Sequence, residues 1–100
     1  MTIWSANKLF VDVVHEPDGT LRIQGQDLDP GNMFEGEYEY AMTVRPADVP
    51  RIVAALGGDP GADVLDLMTA NAQAIITLGE SRFLKSIGVE YEFWSHVSDS

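Results

Sequence analysis

The spacing of hydrophobic positions changes twice along the chain. Leu9, Phe10, Val11, Val13 and Val14 form a β-rich run that ends at Pro17-Asp18-Gly19-Thr20, a strong turn signal. Leu21 to Gln26 then alternates apolar and polar, so the two runs predict a hairpin, with Gly25 marking a bulge or a close contact. From Phe34 to Val44 the alternation continues. Tyr38, Tyr40, Met42 and Val44 share one side, and Glu37, Glu39, Ala41 and Thr43 share the other. Pro46 closes this strand, because it has no N–H to donate to a ladder.

The period then becomes helical. Val49, Ile52, Val53 and Leu56 form a stripe, with Asp48 as the predicted N-cap, Pro50 in the first turn and Gly57-Gly58 as the stop. Asp59-Pro60 repeats the cap-then-proline pattern. Val64, Leu65, Met68, Ala72, Ile75 and Ile76 predict one helix ending at Gly79. Glu80 to Ile87 predicts a short third helix stopped by Gly88, and Val89 to Trp94 returns to alternation as a last strand. The expected order is β-β-β-α-α-α-β. This is an α+β fold with an antiparallel four-stranded sheet, helices on one face, and the last strand paired to an edge of the meander. Residues 1–100 are expected to form one domain. The Ser- and Asp-containing tail after Val97 is expected to fray.

Charge narrows the function. Sixteen acids stand against six bases, a net charge of −10. Five acids, Asp27, Asp29, Glu35, Glu37 and Glu39, occur in one stretch without a base. Such a chain repels nucleic-acid phosphates and anionic membranes, so a basic protein or a cation is the natural partner. With no cysteine, disulfides and thiolate metal sites are impossible. The N-terminus lacks the basic-then-apolar pattern of a secretory signal, and no stretch reaches the length of a membrane span. A cytoplasmic protein is expected.

Individual motifs add little chemistry. Asp27-Leu28-Asp29-Pro30-Gly31-Asn32 resembles the start of a calcium loop. However, the fifth, sixth and twelfth positions are Gly31, Asn32 and Tyr38, where such a loop needs an oxygen ligand, glycine and glutamate. An ordinary turn is the better reading, and no metal or cofactor is expected. Gly57-Gly58-Asp59-Pro60-Gly61 lacks the Lys-Ser or Lys-Thr of a phosphate loop and is explained by helix ends. His15 and His96 have no spacing that selects partners for zinc or for acid–base catalysis. His15 continues the Leu9–Val11–Val13 side, and His96 falls in the tail.

The pattern Leu21-Arg22-Ile23-Gln24-Gly25-Gln26-Asp27-Leu28, with Tyr38-Glu39-Tyr40, Thr43 to Pro50, Gly61 to Leu67 and Glu90 to Val97, resembles a family of small acidic proteins of actinobacteria. The resemblance carries over a compact fold and says nothing of an activity. By analogy, the small, acidic, non-catalytic character is similar to toxin-immunity proteins and to anti-defence inhibitors such as anti-CRISPR proteins.

Together these features predict a non-enzymatic inhibitor. Glu35, Glu37 and Glu39, with Glu90 and Glu92 on the last strand, would present an acidic sheet face, with Asp27 and Asp29 on the adjoining loop. That face would act as a nucleic-acid mimic toward a basic partner such as a nuclease or nucleic-acid-binding complex. The same residues also read as an ordinary solvated sheet face. Trp94 shares its side with Glu90 and Glu92 and would anchor a partner there. As a large aromatic it is expected rather to cap the core at a sheet edge or under a loop. The alternative to inhibition is an interaction module or a homodimer formed through a free sheet edge, with a small-ligand binder or enzyme last.

Overall fold

The computed structural model describes residues 1–6, 8–28 and 37–98. Among them the chain forms β1 (Thr2–Ala6), β2 (Leu9–His15), β3 (Leu21–Asp27) and β4 (Glu37–Val44), then a 3-10 turn at Pro46–Asp48. Four short helices follow: α1 (Val49–Ala55), α2 (Val64–Ala70), α3 (Ala72–Leu78) and α4 (Glu80–Ser86). The last element is β5 (Glu92–Ser98). The strands form one antiparallel sheet in the order β1-β2-β3-β4-β5. The fold is α+β, with five strands rather than the expected four.

The additional strand is β1, and a bulge explains why alternation does not reveal it. The register shifts between Thr2 and Trp4. Ile3 is buried and Trp4, opposite Val11, packs against the same core. Two consecutive apolar residues on one side erase the period of two. The strand is held at its start by Met1, whose amine donates to the Val13 carbonyl at 3.1 Å.

The β2–β3 hairpin forms as expected. The Gly19 N–H donates to the Glu16 carbonyl, and Gly19 itself takes φ 96°. The Asp18 carboxylate accepts from the Thr20 N–H at 2.9 Å. That hydrogen bond holds the Asp18 pKa below the ordinary carboxylate range. On one side of the sheet Val11, Val13, Leu21, Ile23 and Val44 are fully buried. Ile52, Met68, Ile75 and Leu84 from the helices close over them. Each such side chain contributes about 1.5–3 kcal/mol on leaving water.

Gly25 is a close contact. A Cβ there would lie 2.0 Å from Cζ of Tyr40, its cross-strand partner. The Tyr40 hydroxyl donates to the buried Glu80 carboxylate at the start of α4, tying sheet to helix. Burial first, and then the Glu80 hydrogen bond and charge, push the Tyr40 pKa well above the ordinary phenol value.

Three helix ends differ from expectation. Asp48 does not cap α1. Its side chain accepts from Arg45 at 2.9 Å and 3.2 Å, while its backbone is already helical. The cap of α2 is Asp63, which accepts from the Leu65 N–H at 2.9 Å, and not Asp59. The predicted single helix breaks at Asn71, whose amide donates to the Leu67 carbonyl and whose backbone leaves helical geometry. The last strand begins later than expected. Gly88 takes φ 73° and the Val89 N–H returns to the Leu84 carbonyl, so Val89 completes the helix terminus and packs in the core. No helix among the described residues is long and apolar enough to cross a membrane.

Candidate functional site

Side chains alternate along a strand, and cross-strand partners share a side. The pairing therefore fixes the composition of the side opposite the core, rung by rung. One rung runs Phe10–Gln26–Glu39–His96, the next Asp12–Gln24–Ala41–Trp94, and the third Val14–Arg22–Thr43–Glu92. Helices α2 and α3 pack on β1 and β2 from the other side, so these rungs form a helix-free face.

Glu39 and Glu92 both lie on that face, but they do not merge into one cluster. β4 and β5 run antiparallel, which puts Glu39 opposite His96 and Glu92 opposite Thr43. The two rungs lie four positions apart along the strand, about 14 Å. Between them stands Trp94, 54% exposed. The expectation that Trp94 caps the core is overturned. The helix layer lies over β1 and β2, and Trp94 points to the opposite side of the sheet.

Ala41, beside Trp94, is the small residue of its rung and leaves room for a trough. Phe10, Asp12, Gln24, Gln26, Glu39, Ala41 and Trp94 line it, with a volume of about 280 Å³. The Trp94 indole stacks with His96, ring centroids 6.1 Å apart and planes 17° apart. Asp12 accepts from the Thr2 hydroxyl at 2.6 Å. Arg22, the base on this face, is engaged by Glu16 at 2.8 Å. The carboxylates of Asp12, Glu39 and Glu92 therefore set the sign of the field around the trough.

The other predicted residues are placed differently. Asp27 ends β3 opposite Tyr38 and Leu9, on the side that carries Tyr40 and the helices. It therefore does not join Glu39. Glu90 precedes β5 and lies 3.6 Å from Arg45, which also holds Asp48. Asp29 and Glu35, with most of the calcium-loop-like segment, lie outside the described residues. Glu37 occupies a backbone position opposite Ser98, and its side chain lies outside the described set. Among the described residues no group of three metal-ligating side chains comes together.

Sequence reasoning missed Asp12, Gln24, Gln26, Phe10 and His96. Asp12 carried a signal, as a lone acid between Val11 and Val13 must face away from the core. His96 carried a weaker one. The alternation through Glu92, Trp94 and His96 continues past the point where the strand was expected to end. His15 does sit on the Val11–Val13 side, at the exposed end of β2, where it borders α1 and α2.

Comparison of the chain with protein-family models, with curated proteins and with solved structures found no match.

Proposed function

We infer that the protein is a small binding protein that blocks a basic partner through the helix-free face of its sheet. The observation that carries this reading is Trp94, exposed in a trough and flanked by Glu39 and Glu92. An exposed tryptophan on a rigid sheet supplies contact area at little entropic cost, and the surrounding carboxylates steer a cationic surface onto it. No step of chemistry is assigned to these residues. The inhibition would be steric and electrostatic, with the acidic face occupying a surface that otherwise receives phosphates. The resemblance to small acidic actinobacterial proteins and the analogy to toxin-immunity and anti-defence inhibitors belong to this proposal, as do a nuclease or nucleic-acid-binding complex as target and the cytoplasm as the site of action.

The test is capture from host lysate with wild type and with E39K/E92K in parallel, followed by binding kinetics with the captured protein. Wild type is expected to retain a basic protein at low salt, with an association rate that falls steeply as salt rises. The double reversal is expected to slow association about tenfold or more. W94A is expected to weaken binding by about 2 kcal/mol or more. A captured protein that binds the reversed face as fast as the native one would remove the acidic face from the account.

A further inference from the structure

The two edges of the sheet are built differently. The β1 edge carries a bulge, a common device that turns an edge away from further pairing. The β5 edge pairs with β4 without a shift from Glu92 to Ser98. Between Glu92 and His96 it contains no lysine, proline or bulge, and both of its faces present exposed aromatics, Phe93 and Trp94. Its outer backbone groups have no strand partner among the described residues. A regular edge of this kind, with Glu92 as its one acidic or basic charge, is a template for another strand.

We propose that the occupant is a second copy of the chain, paired antiparallel through β5 about a two-fold axis at Trp94. The sequence of the edge selects this register. A symmetric antiparallel pair must align residues of the same side. Centring on Trp94 aligns the two indoles with each other, Phe93 with Ser95 of the other copy, and Glu92 with His96 of the other copy, twice. Centring on Ser95 or Phe93 instead places Glu92 opposite Ser98 or Trp94. The Trp94-centred register thus gives the one carboxylate of this edge a partner, since a His ring N–H donates to it in either charge state. The net charge of −10 on each copy opposes association. That repulsion is screened beyond about 8 Å at physiological salt, whereas the contacts at the edge are closer. The product is a ten-stranded sheet, since each copy brings five strands. It carries two Trp94 side chains at its centre and a Glu39 toward each side. The dimer does not depend on the inhibitor reading.

Light scattering or sedimentation equilibrium at about 0.15 M salt, over a wide concentration range, tests it. Wild type is expected to approach twice 11.0 kDa. H96E places two carboxylates opposite two carboxylates and is expected to weaken the dimer about tenfold or more. E92K/H96E restores opposite charges and is expected to regain most of that loss. Circular dichroism confirms that each variant is folded. A wild-type monomer at every concentration would overturn the proposal. So would a dimer indifferent to H96E, or a loss that the double variant fails to rescue.

Discussion

β1 and β5 are the two edges of one sheet, yet they divide its tasks. β1 is short and bulged, Met1 just before it is bound to Val13, and its core side lies under α2 and α3. β5 is regular, and it leaves Phe93 and Trp94, on opposite sides of the strand, each 54% exposed. Both edges hold a tryptophan, but Trp4 packs against the core and Trp94 does not. The difference shows that residue type does not decide whether an aromatic is structural. The decisive factor is which strand the helices cover and which side of the pleat the residue occupies.

Substitutions test that contrast. The largest effect is expected at β1. I3A removes a buried side chain and should cost about 2–5 kcal/mol in chemical denaturation. W94A should change stability by no more than about 0.5 kcal/mol while reducing association. A W94A cost as large as that of I3A would mean that β5 is core and not a docking edge. Next in size is G25A on the central strand, whose new methyl must displace the Tyr40 ring and strain its hydrogen bond to Glu80. About 1–3 kcal/mol is expected, measured by the same denaturation.

The smallest effect belongs to the β2–β3 turn, away from both edges. Asp18 has its pKa lowered on folding by the Thr20 N–H. Its stabilisation is therefore present above the ordinary carboxylate pKa and lost as pH falls through the lowered value. D18A should lower the melting temperature slightly at neutral pH, and the difference from wild type should shrink on acidification. A difference that stays constant with pH would assign the effect to the turn backbone instead of the carboxylate.

Much of the architecture was legible because it depends on local periods. The Glu39 and Tyr40 sides of β4, the hairpin at Pro17 to Thr20 and the helical stripes all follow from spacing. What depends on tertiary pairing was not legible. The bulge at Thr2/Trp4 hid β1. Arg45 holds the carboxylate of Asp48, whose helical backbone does not suit a cap of α1. The antiparallel register of β5 decided that Glu39 and Glu92 stand apart with Trp94 between them, and local alternation carries no information about register. For the candidate site, alternation indicated which residues share a side. Only the position of the helices indicated which side is open.

The most direct test of the docking face is amide chemical-shift mapping of the labelled protein as the captured basic partner is added. The largest changes are expected on Gln24, Glu39, Ala41, Trp94 and His96, with α2 and α3 quiet. Changes concentrated on α2 and α3, with Trp94 unmoved, would contradict a docking role for this face.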